Sequence, residues 1–442
     1  MNNDQVLENK IQDIEKTIPD QRNPISYSDL EAVIDKWLLI KDKGLLRVLL
    51  ATVIANKLQA DPVWLFIVAA PGGTKTELIR GLNKIEGIYP ISDLTPQTFL
   101  SGEKGQKNAS LLLRLPAEGT ILTFKDFTTV LSMHRDKRQV ILSQLREIYD
   151  GYYSKPFGTG ETKIWEGKMG FISGVTPVID HHLSVFSVLG ERFIQYRPAQ
   201  PDSILLAKKA MRNSGGEKIM REEIQNAIAD FIASVAVHKD IISFPEDLQD
   251  HIAHLAAFCV KARGGVLREG HSSREIELIP DTELPTRLAK QLITLLAALL
   301  LIGHQNPEED YELIWKVAMD SLPKNRRLVL EVLIKEPEQL ETSDVGMKIG
   351  YPTNTTRRIL EDLHGLKLVY REHEGKGYSD KWKMSDFAKE LLDKAAPDYI
   401  KNKNLTQPDT TDSVSEKSDD LSDEVASMFD VQQDTLPEVS AD

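Results

Sequence analysis

The chain has 442 residues, 41% hydrophobic and 27% charged, the balance of a soluble globular protein with room for two or three domains. Its one cysteine, Cys259, excludes an internal disulfide framework and fits a reducing cytoplasm. The net charge of −13 is concentrated: Asp409 to Asp442 holds eleven acidic residues and one lysine, so the remainder is near neutral and acidity does not argue against nucleic acid.

The polar start MNNDQVLENK predicts no signal peptide. Residues 1–60 read as an N-terminal helical region. Ser28 is a candidate cap, and Leu30, Val33, Trp37, Leu38 and then Leu45 to Leu58 form apolar stripes that brace the first strand.

Residues 63–80, VWLFIVAAPGGTKTELIR, organise the next unit. Val63 to Val68 is the short apolar run of a buried parallel strand. Pro71, Gly72 and Gly73 break it, and a helical pattern opens at Lys75. Strand, glycine loop, Lys-Thr and helix is the layout of a phosphate-binding loop. Pro71, Gly72, Gly73, Thr74, Lys75 and Thr76 are the candidate nucleotide-binding residues. Lys75 reaches the terminal phosphates and the Thr76 hydroxyl ligates Mg2+. The usual glycines are replaced by Ala69 and Thr74. A β-branched Thr74 would strain any left-handed backbone geometry.

Ile88 to Ile91 reads as a strand, Leu94 to Gly102 as a turn with a further short strand, and Ala109 to Leu115 as a short helix. Gly119 to Phe124 is a strand ending in Lys125, Asp126 and Phe127. Asp126 is either the metal carboxylate, with Phe127 where a second acid usually stands, or the catalytic acid, with Lys125 in the metal position. Residues 136–150 form an amphipathic helix with Val140, Ile141, Leu145 and Ile148 inward. Gly151 to Lys168 reads as a hairpin bearing Lys155, Lys163 and Lys168. Met169 to Val175 is a strand with Thr176 at its tip, where a polar side chain can orient an attacking water. Leu189 to Pro198 carries the last strand, with Arg192 at its start and Arg197 at its end.

The order GTILTFKDF, QLREIYDG, lysine-bearing hairpin, GFISGVTP and LGERF resembles an AAA+ ATPase, in particular the MCM-like helicase cores of phages and mobile elements. The resemblance covers about residues 60–320. It implies a parallel P-loop sheet over 61–200 with a helical lid over 201–322. It implies a ring, most often a hexamer, that binds ATP and Mg2+ between subunits. Thr176 then stands at sensor 1. Arg192 is the candidate arginine finger, acting on the neighbouring subunit's nucleotide. Arg287, in LPTRLAKQLITLLAAL, matches the sensor 2 arginine of the lid. Lys155 and Lys163 lie on the hairpin that touches DNA in the pore. An arginine near a γ-phosphate offsets the charge of the transition state.

Gln200 to Ser214 reads as a Pro- and polar-rich linker, and residues 217–263 as helical. His251 with His254, and His181 with His182, complete no metal-ligand pattern and read as partly buried core histidines. Leu288 to Ile302, interrupted by Lys290, Gln291 and Thr294, is too short to span a bilayer and reads as a core helix. No membrane association is expected.

Residues 323–398 read as a winged helix-turn-helix. Arg326 to Lys335 is a helix, Thr342 or Ser343 caps a second, Gly350-Tyr-Pro352 is the turn, and Thr353 caps a third with Ile359, Leu360 and Leu363 inward. Two strands around Glu374-Gly-Lys-Gly377 close the unit. Asn354, Thr355, Arg357 and Arg358 face the major groove in such a module, and Lys376 at the wing tip meets a flanking phosphate. Residues 399–442 form an acidic, disordered tail, in which Val425, Met428, Phe429 and Val431 are a candidate docking segment for a replication partner.

The chain therefore reads as an α/β protein: a P-loop parallel sheet with a helical lid, then a winged helix-turn-helix and a tail. The expected activity is that of a cytoplasmic, ATP-dependent, DNA-acting motor, a replicative helicase or its loader. The rival reading is a DNA-binding regulator whose altered core is an assembly switch. A third is a protein-remodelling ATPase whose winged helix docks a partner.

Overall fold

The computed structural model describes residues 24–397, apart from 73, 103–109, 159, 183–191, 238–243, 270–274, 304–306, 374 and 376–378. The N-terminal segment, the acidic tail, Gly73 and Lys376 thus lie outside the described residues.

The chain is an α/β protein built on five parallel strands: β1 (Trp64–Val68), β2 (Ile88–Ile91), β3 (Thr120–Phe124), β6 (Met169–Val175) and β7 (Phe193–Tyr196). Strands β4 (Tyr152–Pro156) and β5 (Thr162–Glu166) pair as an antiparallel hairpin inserted before β6. The sheet order is β2-β3-β6-β1-β7. The chain leaves β1 for the far edge, returns through β3 and β6, then crosses β1 to place β7 on its other side. β1 is therefore the switch point, and parallel sheets open their ligand crevice beyond the carboxyl ends of strands there. The strands alternate between two cores. Leu65, Ile67, Ile121, Ile172 and Ile194 face the helical side, whereas Trp64, Phe66, Leu122, Phe171 and Phe193 face the hairpin side. Burial on both faces is why β1 reads as an unbroken apolar run. Pro90 is tolerated because β2 is an edge strand.

The helix Gly44–Ala55 is buried at every position from Leu45 onward and packs against the helix Thr286–Ile302. Its one charge, Arg47, is 1% exposed and bonds Asp310 at 2.5 Å. The helices Tyr27–Trp37, Glu217–Ser234, Glu246–Ala262 and Pro307–Asp320 complete this side. No described helix is long and apolar enough to cross a membrane.

Several local expectations are corrected. The first cap is Ser26, in a capping box with Asp29, not Ser28. Val140 is 44% exposed, while Ile141, Leu145 and Ile148 are buried. The 94–102 segment holds no strand, and the short helix is Leu111–Arg114. The expected linker contains the helix Ser203–Arg212, capped by Asp202. The helical stretch over 217–263 is two helices, broken after Ser234. His251 and His254 are half-buried, and no metal-holding group of three or more His, Cys, Asp or Glu exists among the described residues.

Strands β8 (Leu267–Arg268) and β9 (Ile276–Leu278) form a small hairpin. Beyond it, helices Lys324–Lys335, Thr342–Ile349 and Thr353–Gly365 precede a three-stranded sheet, β10 (Leu340–Glu341), β12 (Lys381–Met384), β11 (Val369–Glu372), in that spatial order. Neither Thr342 nor Ser343 nor Thr353 caps its helix: Glu341 and Pro352 occupy the cap positions. The Thr342 hydroxyl instead accepts from the Trp382 indole at 2.9 Å. Gly350 takes φ +71° at the turn, a left-handed conformation that glycine adopts without a Cβ clash. The helix Asp386–Ala395 packs on Glu246–Ala262, so this C-terminal unit shares the helical-side core.

Candidate nucleotide site

The loop after β1 delivers Lys75 to the crevice. Gly72 takes φ +78°, while Thr74 is right-handed helical (φ −67°, ψ −9°). The departure at Thr74 therefore costs no strain, because the left-handed turn is made earlier. Lys75 is only 5% exposed, and its ammonium donates to the carbonyls of Ala69 (2.6 Å) and Ala70 (3.2 Å). Its aliphatic stem crosses the bare backbone of Gly174 in β6. A Cβ there would lie 3.3 Å from the lysine Cδ and 2.7 Å from the Lys125 carbonyl. Burial pushes the Lys75 pKa down, and the Asp126 carboxylate partly offsets that. A buried ammonium bonded to carbonyl oxygens without forming an ion pair is an incomplete seat that an anion would complete.

Asp126 is half-buried at the end of β3, and its carboxylate accepts from the Thr128 amide at 3.0 Å. The Thr128 hydroxyl donates to Thr176 Oγ1 at 3.1 Å and accepts from the Thr176 amide at 3.0 Å. Thr128 thus ties the acid to the tip of β6. The sequence signal was only the Asp126-x-Thr128 spacing. Phe127 is fully buried, its ring 4.9 Å from Phe66 and 5.9 Å from Phe193. Asp126 is therefore the lone acid presented where β3 ends.

A small cavity of about 20 Å3 adjoins Thr74 and Lys75, walled by Leu39, Ile40, Leu45, Pro198 and Pro201. Among the described residues the backbone of Leu39, Ile40 and Lys41 makes no hydrogen bond, although Ile40 is 8% exposed. The rim of this cavity thus combines apolar walls with free backbone donors and acceptors. The sequence reading assigned 26–60 to bracing and missed this wall, which needs the 39–45 and 198–201 segments brought together. Thr76, half-buried one residue after Lys75, and Asp126, whose charge acts on Lys75, are the two side chains that could hold a cation here. Glu77 accepts from Arg80 (2.6 Å) and from Arg221 of the helix Glu217–Ser234 (2.9 and 3.0 Å). Burial raises its pKa, but those two arginines outweigh it and hold the carboxyl below the usual range.

Arg192 and Arg287 meet each other, not the loop. Their guanidinium groups lie 5.5 and 6.0 Å from the Tyr149 ring centroid. Arg192, 5% exposed, bonds the Asp150 carboxylate at 2.7 Å, and Arg287 bonds Glu283 at 3.3 Å. Phe193 pairs with Trp64, so this cluster sits where β1 begins. β1 then climbs about 13 Å, at about 3.3 Å per residue, before reaching the loop.

The hairpin lysines also turn inward. Lys155 donates to the carbonyls of Pro96 (3.0 Å) and Leu100 (3.1 Å), and the 5% exposed Lys163 donates to Ser101 (2.8 Å). They fasten the 96–101 segment to the hairpin. In the C-terminal unit, Asn354, Thr355, Arg357 and Arg358 are all exposed, while Ile359, Leu360 and Leu363 are buried. Glu361 and Asp362 on the same helix are engaged by Arg268 (3.2 and 2.7 Å). The acids nearest Arg357 and Arg358 are thereby neutralised from the β8–β9 hairpin.

No family model matches the chain, and no curated protein matches it at a significant level.

Proposed function

We propose that the chain is an AAA+-type ATPase that binds ATP with Mg2+ at Lys75 and acts on DNA, as a replicative helicase or helicase loader working in a ring. The observation that carries this is the buried Lys75 ammonium, held only by loop carbonyls, beside Asp126 at the switch point of a parallel sheet. Lys75 neutralises the terminal phosphates. Thr76 and Asp126 hold Mg2+, which when bound offsets charge on the phosphate oxygens. Thr176, positioned by Thr128, orients the attacking water. Arg192 and Arg287, gathered where β1 begins, at the other end of that strand from the loop, serve the nucleotide of an adjacent copy. The C-terminal unit acts as a winged helix-turn-helix, its Thr353–Gly365 helix in the major groove.

The test is ATP turnover by the purified full chain, with and without single- and double-stranded DNA, beside Lys75→Ala. DNA-stimulated turnover that disappears in the variant supports the proposal. Equal turnover by both chains, or none by either, overturns it.

One alternative has its own observation. Phe127 is locked in the aromatic core and the hairpin lysines are fastened inward, which favours a DNA-binding regulator whose core binds ATP only to assemble. ATP binding without turnover, together with a site-specific footprint, selects that reading.

A further inference from the structure

The helix Ser203–Arg212 buries none of its ten residues. A helix this short is marginal in water unless a face is covered. Ile204, Leu205 and Met211 are 64%, 55% and 68% exposed, and Ile219 beyond them is 59% exposed. Ile204, Lys208 and Met211 follow one another along one face, with Leu205 and Arg212 beside them. Between Ser203 and Ile219 the basic residues are Lys208, Lys209, Arg212 and Lys218, against the single acid Glu217. Polar contacts hold the helix to the body: Lys209 donates to the Asp35 carbonyl at 2.9 Å and Asn213 to the Trp37 carbonyl at 2.7 Å. This is a surface that is apolar along its middle and positive around it.

The same chain carries a segment of the opposite character. Leu421, Val425 and Met428 recur at i, i+4 and i+7, with Phe429 adjacent, among Asp419, Asp420, Asp423, Glu424 and Asp430. The chain from Pro397 to Asp419 has a maximum reach of about 70 Å, long enough to bring the segment onto the body. We propose that the acidic segment around 419–431 docks on the exposed face of the Ser203–Arg212 helix, its apolar residues covering Ile204, Leu205 and Met211 and its carboxylates facing the lysines. The helix begins two residues after the cavity wall at Pro201. An occupied face therefore puts the tail at the rim of that cavity. The proposal needs no nucleotide and stands apart from the reading of Lys75.

Amide hydrogen exchange over 203–212 tests it, in the full chain and in a chain ending at Pro397. Removal of the tail is expected to speed exchange there by roughly tenfold or more. A synthetic 416–434 peptide added to the truncated chain restores protection, less well at high salt. Leu205→Asp, at an exposed position that leaves the melting temperature unchanged, abolishes peptide binding. Lys208→Glu weakens it, and a peptide carrying Asp423→Lys and Glu424→Lys regains it on that variant. Equal exchange with and without the tail overturns the proposal. So does protection in the truncated chain that grows with protein concentration, which assigns the face to a second copy instead.

Discussion

At the residue scale, the site depends on what each polar side chain is fastened to. Thr128 holds Thr176 through two hydrogen bonds and its amide holds Asp126. Thr128→Val keeps the shape and the amide but removes the hydroxyl. ATP affinity should stay within about twofold while turnover falls by roughly tenfold or more, because misplacement of a positioning group is felt in the transition state. Lys168 gives a prediction in pH. Its ammonium donates to the Leu58 carbonyl at 2.6 Å, and burial lowers its pKa to about 8, with Asp61 and Glu118 opposing. Above that value the folded lysine is neutral while the unfolded one keeps its proton up to the ordinary lysine range. The unfolded state then binds more protons, so this residue's contribution to stability rises with pH across that window. In urea melts, the advantage of Lys168→Met over wild type should shrink by on the order of 2 kcal/mol between about pH 8 and about pH 10. The positions of Lys75 and Thr76 after the loop and of Asp126 at the end of β3 were legible in the sequence because they follow from neighbours along the chain. Thr128 and Gly174 were not, because they act across strands. Lys155 and Lys163 were found as residues but not as directions: spacing does not tell whether a lysine meets solvent or a loop carbonyl.

At the element scale, strands and long helices were legible because burial on one or two faces imposes a period. Ends and short helices were not. Ser26, not Ser28, caps the first described helix, because the reciprocal bond from Asp29 decides between two serines that look alike in sequence. The Ser203–Arg212 helix was hidden by its polar surroundings and lack of buried residues. The helix Gly44–Ala55 is joined to Pro307–Asp320 by a buried pair, Arg47 with Asp310, whose side chains are 2% and 1% exposed. Two guanidinium nitrogens and one carboxylate oxygen there lack hydrogen-bond partners. Burial raises the Asp310 pKa, against the pull of Arg47. Removing one partner strands the other charge in an apolar core. Asp310→Ala should lower unfolding free energy by about 3–5 kcal/mol, whereas Arg47→Met with Asp310→Leu should recover most of it. Denaturant melts of the two single variants and the double variant decide this. A double variant no better than the singles would mean that the pair fixes the helix geometry.

At the scale of the whole molecule, the C-terminal unit is seated on the helices Glu246–Ala262 and Pro307–Asp320 and on the β8–β9 hairpin. Arg268 engages Glu361 and Asp362, Arg326 donates to the carbonyls of Ala262 (3.1 Å) and Gly264 (2.6 Å), and the Tyr311 hydroxyl donates to the Ala395 carbonyl at 2.7 Å. This seating leaves Arg357 and Arg358 on the free side of the Thr353–Gly365 helix. If they meet DNA phosphates, each alanine substitution should weaken binding of unrelated duplexes alike and reduce the slope of log affinity against log salt by about 1. A base contact would instead lose affinity for one sequence and relax its preference. The last prediction concerns the edge that holds Arg192. In the proposed ring, that edge of one copy completes the Lys75 site of the next, yet within a single copy Arg192 is occupied by Asp150. Mixing separates the two roles. A chain with Lys75→Ala lacks the phosphate seat but keeps the arginine, and Arg192→Ala keeps the seat but lacks the arginine. Each alone should be inactive. Mixed in equal parts, some seats gain an arginine from a neighbour, so turnover should return to a fraction of the wild-type rate and fall on dilution as the assembly dissociates. Failure to complement, with both variants folded and assembled, would leave Arg192 as a structural partner of Asp150 and remove the arginine from the proposed chemistry.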